Sequence, residues 1–211
     1  MFDQMILQNS LFMIDKLSLL SLSEGKLKWN IYTKRICESE HPIVFDTETT
    51  GFDRKNDDIL EIAAYSPSTG NIFQALIRPP RKFMTNVVNN ITPDMVKNEE
   101  SFNNVYLDFE NFLLEENCDL LIAHNAFFDF DFIQKNLIRN NMISLFFNGD
   151  YKENKNIADT QIILQKKFQS PNQKLGDIYK INENQMITKP SHRALDDCYA
   201  LGELLFIVCY K

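Results

Sequence analysis

The chain has 211 residues, room for one domain and an appendage at about 150 residues per domain. With 44% hydrophobic residues it can bury a proper core, and its net charge of −7 excludes a globally basic nucleic-acid binder. Carboxylates that hold divalent cations still allow an acidic protein a phosphate-bearing substrate, so the charge argues only against tight non-specific coating of DNA.

The N-terminus, MFDQMILQNS, has an acid where a signal peptide needs lysine or arginine. Residues 5–20 place Leu7, Leu11, Ile14 and Leu17 at helical spacing, which predicts one amphipathic helix. Gln8, Asn9, Asp15 and Lys16 interrupt its apolar residues, so no run approaches the ~20 residues that span a bilayer. A polar stretch from Ser23 to Pro42 leads to the first strand, where the missing amide hydrogen of Pro42 is tolerable. Residues 1–41 thus read as an N-terminal helical extension and 42–211 as the main domain.

Three strand-like runs follow, at 43–48, 59–66 and 72–78. Their separators are short and turn-rich, which predicts antiparallel neighbours. Helical pattern takes over after Pro93 and again over 102–114. LLIAH at 120–124 is a short apolar strand, and a helix starts near Ala126. The Asn-rich, charged region 139–156 reads as a loop, and helices are expected over 160–168, 174–180 and 193–209. This order predicts an α/β or mixed sheet. The four cysteines, Cys37, Cys118, Cys198 and Cys209, form no CxxC, and with three histidines there is no zinc cluster. They read as free thiols in a reducing compartment, which with the absence of a membrane span makes a soluble, cytoplasmic protein the expectation.

Within "IVFDTETTGF", Asp46 and Glu48 end a strand that otherwise wants the core. Residues i and i+2 of a strand share a face, so the two acids point the same way. They are either solvated acids at a strand end or a pair whose repulsion a bound Mg²⁺ would relieve. In the last helix, Ala194, Cys198, Leu201, Leu204, Leu205 and Val208 form one stripe. Asp197 falls inside it and Asp196 falls opposite. A buried carboxylate needs a partner, and no lysine or arginine follows within the helix. His192 would stand roughly 140° from Asp197 if both were helical, so the two converge only if His192 precedes the helix, with Ser191 as a cap. In "AHNAFFDFDF", Asp129 and Asp131 are two apart on a helix and face different directions, so at most one serves a site. Asn125 and the pair Asp159–Thr160 have a capping reading.

In chain order, DTETTG, HNAFFD and HRALDD resemble the three exonuclease motifs of the DEDDh branch of the DnaQ-like exonucleases, over about residues 42–209. The resemblance implies a ribonuclease H-like α/β fold, a mixed five-stranded sheet flanked by helices, with the fifth strand near 156–159. It makes 42–211 an exonuclease domain. It selects Asp46, Glu48, Asp129 and Asp197 as ligands of two divalent cations, Mg²⁺ or Mn²⁺, and His192 as general base, a role suited to a side chain that can be neutral at pH 7. It implies a metal-dependent 3′–5′ exonuclease that hydrolyses terminal phosphodiesters of single-stranded DNA to nucleoside 5′-monophosphates. Thr49, Thr50, Gly51 and Phe52 would hold the terminal nucleotide, Phe127 would stack on a base, and His124 and Arg193 would assist. The rival readings are a 3′–5′ exoribonuclease and a non-catalytic binding module. Residues 8–12 resemble peptides that bind sliding clamps, a route to a clamp or polymerase partner. The polymerase-binding tail of the proofreading relatives has no counterpart after the last motif helix, which implies a stand-alone enzyme.

Overall fold

The structure, a computed structural model, describes residues 31–85 and 88–210. The helix expected over 5–20 and the clamp-peptide likeness at 8–12 lie outside the described residues. The elements are α1 (Ile31–Glu38), β1 (Pro42–Thr49), β2 (Ile59–Tyr65), β3 (Ile72–Leu76), α2 (Pro93–Val96), α3 (Phe102–Glu115), β4 (Leu120–Ala123), α4 (Ala126–Arg139), β5 (Ile157–Asp159), α5 (Gln161–Lys167), α6 (Leu175–Asn182) and α7 (Ala194–Tyr210).

The sheet order is β3-β2-β1-β4-β5. β1 pairs with β2 antiparallel and with β4 parallel, β2 with β3 antiparallel, and β4 with β5 parallel. The fifth strand falls at 157–159, as expected.

Strand alternation sorts β1 between two helical layers. Ile43 and Phe45 face a Phe-rich core with Phe109 of α3, Phe130 of α4 and Phe147. Val44 faces the other core with Ile36 of α1, Leu164 of α5, Ile178 of α6 and Cys198 and Leu201 of α7. Each fully buried Phe or Ile contributes roughly 1.5–3 kcal/mol, which is what lets the sheet tolerate acids at one end. By the same alternation Asp46 and Glu48 turn toward α7, and Thr47 turns toward α4. The β1–β2 register shifts between Glu48 and Thr49, a bulge of the kind that re-aims side chains beside active sites.

Two expectations need correction. The stretch before Pro42 is not merely a polar lead-in, because α1 lies within it and buries Ile36. Cys37 and Cys209 are not free thiols. They form a disulfide across a sequence separation of 172, with Cα atoms 5.6 Å apart, while Cys118 and Cys198 stay reduced. Such a pairing joins two segments, 172 residues apart, that only the fold brings together. Among the described residues no helix is long and apolar enough to cross a membrane.

Candidate active site

β1 is the central strand, and its C-terminal end delivers Asp46 and Glu48 beside the first turn of α7, which carries Asp197. One carboxylate oxygen from each of the three lies within 4.8 Å of the others, a grouping able to hold a metal ion. The acid inside the helical stripe of α7 is thus the one that joins this grouping. Asp196 instead accepts the Ser191 hydroxyl.

Asp129 arrives from the other layer, in the first turn of α4. It is buried, and its Oδ1 accepts both the Thr47 amide (3.0 Å) and the Thr47 hydroxyl (2.6 Å). Thr47 sits between Asp46 and Glu48 but points to the opposite face, so it ties α4 to the strand that carries the other acids. Asp131 turns away, paired with Lys135 (2.7 Å) and Arg54 (3.6 Å).

All four acids have raised proton affinity, burial being the first cause in each, and cluster charges add to it at Asp46 and Glu48. Burial pushes Asp46 well above the ordinary carboxylate range, and the charges of Asp129, Asp197 and Glu48 add to it. Burial pushes Glu48 up to about 8, opposed by a hydrogen bond with Asn89 and reinforced by Asp197 and Glu61. Asp129 is pushed up to about 7 by burial, opposed by Thr47. Asp197 is raised by burial, opposed by the Ser191 amide. Such a cluster either shares protons or takes cations. An all-oxygen donor set suits hard ions such as Mg²⁺ and Mn²⁺, so the residues present fit the metals that the motifs imply.

His192 stands exposed ahead of α7, in the left-handed region at φ +58°. Non-glycine residues held there are uncommon and cluster at functional sites. Asp197 Oδ1 accepts the amides of Ser191 (3.0 Å) and His192 (3.3 Å), which leaves its other oxygen for the cluster. The expected capping is thus reversed, with the helix acid holding the loop in place of Ser191.

The remaining sequence-predicted residues divide. Thr49, Thr50, Gly51 and Phe52 follow directly from β1. The Thr49 hydroxyl donates to Gly51 O at 2.6 Å, and the Thr50 hydroxyl to Asp57 at 2.8 Å. A Cβ on Gly51 would collide with the Asp57 carboxylate, so the close approach expected of this glycine is made inside the loop itself. Phe52 is 78% exposed, and Phe127 is 42% exposed under the Arg54 guanidinium, 4.5 Å above its ring. His124 is engaged elsewhere. Burial lowers its pKa; Nε2–H donates to Gln173 O, and Nδ1 lies 3.0 Å from the Thr160 hydroxyl, which itself donates to Ala123 O. Arg193 directs its guanidinium to Glu61. Asn125 occupies the α4 N-cap position without a side-chain cap bond, while Asp159 accepts the Gln161 amide at 2.9 Å, as a cap should. A cleft of about 510 Å³ opens beyond Thr50, walled by Asp58, Arg81 and Lys82 and not by the four acids.

Glu61 and Asn89 were not anticipated. Glu61 is a fully buried acid inside the apolar run ILEIAAY, a signal open to sequence reading. Asn89 lies in VVNNITPD, where it reads as a turn residue; it is buried and donates to Thr49 O at 3.1 Å.

Known proteins match this arrangement. The exonuclease family model matches residues 43–205. The PolC-type DNA polymerase III of Streptococcus agalactiae is 31% identical over 173 residues, which is 78% of this chain and 11% of that protein. The DNA polymerase III epsilon subunit of Treponema pallidum is 39% identical over 98 residues, 44% of each chain. The chain thus spans well under two thirds of these relatives. Among solved structures, a 3′-exonuclease that recognises the 3′ end of a histone mRNA stem-loop superposes with a TM-score of 0.67 at 13% identity, covering 93% of this chain and 79% of that one. Exonuclease I gives 0.64 at 15% identity, covering 80% and 41%. These likenesses show a shared ribonuclease H-like fold.

Proposed function

The chain belongs to the exonuclease family whose model spans residues 43–205, of the DnaQ-like kind found in DNA polymerase III, and from that premise we propose that it is a metal-dependent 3′–5′ exonuclease. Its substrate on this reading is the 3′ end of single-stranded DNA, and its product a nucleoside 5′-monophosphate. The observation that carries the reading is the convergence of Asp46, Glu48 and Asp197 within 4.8 Å, from a strand and a helix far apart in the chain.

Asp46, Glu48, Asp129 and Asp197 would hold the two divalent cations, Asp129 being the acid set back against Thr47. When bound, the cations offset the repulsion among the acids, polarise the scissile phosphate and make water a stronger acid. His192 removes the proton of the attacking water at an imidazole nitrogen. Asp197 keeps that histidine's backbone in place by accepting its amide. Thr49 and Thr50 border the terminal sugar, Gly51 lets their loop close against Asp57, and exposed Phe52 and Phe127 offer faces on which bases stack at roughly 1–3 kcal/mol each. DNA is favoured over RNA because the relatives at 31% and 39% identity described above are DNA polymerase III proteins.

The test is end-labelled single-stranded DNA and a matched RNA, incubated with Mg²⁺, Mn²⁺ or EDTA, with Asp46→Ala alongside. Metal-dependent shortening from the 3′ end, reduced at least about 10³-fold in Asp46→Ala, is expected. Faster cleavage of the RNA moves the reading to an exoribonuclease. No cleavage of either by folded protein with metal moves it to a binding module.

A further inference from the structure

Glu61 is a carboxylate with no exposed surface, on β2 directly across from Glu48 of β1. Directly opposed residues of an antiparallel pair lie on one face, so Glu61 looks toward α7 beside the acids of the site. Its oxygens are fully used. Oε2 accepts Arg193 Nε at 3.0 Å and the Ala194 amide at 3.2 Å. Oε1 accepts Arg193 Nη2 at 2.7 Å and Gln74 Nε2 at 2.9 Å. An acid so committed has no oxygen left for a metal, and it lies outside the trio able to hold one.

The groups it grips are consecutive with those gripped by Asp197. Asp197 takes the amides of Ser191 and His192, and Glu61 takes the guanidinium of Arg193 and the amide of Ala194. Two carboxylates, one from the sheet and one from the helix, therefore fasten four successive residues. Among the described residues no hydrogen bond reaches the His192 ring, and its backbone is left-handed. The ring's placement therefore depends on the backbone around it, and Glu61 fixes the next two residues. Buried charges without partners are costly, so Glu61 and Arg193 must act as a pair.

We propose that Glu61 is a positioning residue that acts through Arg193, anchoring the 191–194 loop to the sheet so that His192 and Asp197 face Asp46 and Glu48. Arg193 is then a strut, and its guanidinium serves Glu61 before any phosphate. This role rests on the exonuclease reading above.

The experiment compares the full chain with Glu61→Gln, Arg193→Lys, Arg193→Ala and the double variant Glu61→Gln/Arg193→Lys. Folding is checked by near-UV circular dichroism. Each single variant is expected to lower kcat by about 10–100-fold while KM for a single-stranded oligonucleotide moves by less than about 3-fold. The double variant should be no slower than the worse single one, because the two residues form one unit. Guanidinium added to Arg193→Ala should restore part of kcat, and calorimetric Mn²⁺ stoichiometry should match the wild type in every variant. A folded Glu61→Gln with wild-type kcat overturns the proposal. So does a raised KM at unchanged kcat in the Arg193 variants, which would make Arg193 a substrate contact, or the loss of a bound Mn²⁺ in Glu61→Gln, which would make Glu61 a ligand. Hydrogen exchange of the Ser191 and His192 amides separates this idea from the exonuclease reading. If the wild type cleaves nothing, faster exchange in Glu61→Gln by about 10-fold or more still supports the anchor, and unchanged exchange sinks it.

Discussion

Glu48 shows how one side chain is set by its neighbours. Its carboxyl is pushed from about 4.5 to about 8 by burial, with Asp197 and Glu61 adding and Asn89 opposing. The folded, metal-free protein keeps this proton up to about pH 8, while the unfolded chain releases it near 4.5. The folded state therefore binds more protons across that window. The contribution to stability is full below the lower value and is lost as pH rises through the upper one. In EDTA the protein should melt at lower temperature at pH 8 than at pH 5, and Glu48→Gln should raise the pH 8 melting temperature by about 3–8 °C while changing little at pH 5. Scanning calorimetry at the two pH values checks this, and a variant that melts lower at pH 8 would mean that the repulsion is absent. Asp46 and Glu48 are legible in the sequence because they share one face at the end of an apolar strand, and the DTETTG motif sets them apart from solvated acids at a strand end. Asp197 is legible because it breaks an apolar stripe. Asn89 is not, since its carbonyl partner lies 40 residues away on another element.

At the scale of elements, α4 and α7 both start at the candidate site, and each carries one of its four acids in the first turn. A helix N-terminus favours a carboxylate there by roughly 0.3–1 kcal/mol, which partly offsets the crowding of charge. Two residues apart on α4, Asp129 and Asp131 stand roughly 160° apart, so the helix cannot present both to one place. Asp129 is buried against Thr47, and Asp131 pairs with Lys135 and Arg54. Asp129→Asn should lower kcat by at least about 100-fold, and Asp131→Asn by less than about 5-fold, in the same oligonucleotide assay. Equal losses would mean that α4 is rotated from the position described. Strand-like runs and the 3.6-residue period placed four strands and the main helices in the sequence, and the resemblance supplied the fifth strand, whose three residues are too few to show a period. α1 escaped because it is only eight residues, IYTKRICE, mostly polar, and buries little beyond Ile36.

For the molecule as a whole, the sheet order puts β1 at the centre and its acid-bearing end where α4 and α7 begin. Helices near both ends of the described chain then pack on one face. α1 and α7 share a core, and the Cys37–Cys209 disulfide joins them. Sequence reading could not pair these cysteines, because their 172-residue separation carries no local signal. A crosslink that closes so long a loop removes unfolded-state entropy worth at most about 5 kcal/mol in the chain-entropy model. At about 2–4 °C per kcal/mol for a chain of this size, reduction should lower the melting temperature by roughly 5–20 °C. Cys37→Ser and Cys209→Ser should each melt where the reduced wild type melts, and reductant should leave both unchanged. Thiol titration in denaturant should find two reactive groups in the oxidised protein, from Cys118 and Cys198, and four after reduction. A reducing cytosol keeps thiols apart, so the same protein should be less stable there than under oxidising conditions. Four reactive thiols in air-oxidised protein, with a melting temperature indifferent to reductant, would show that the shared core alone holds α1 and α7 together.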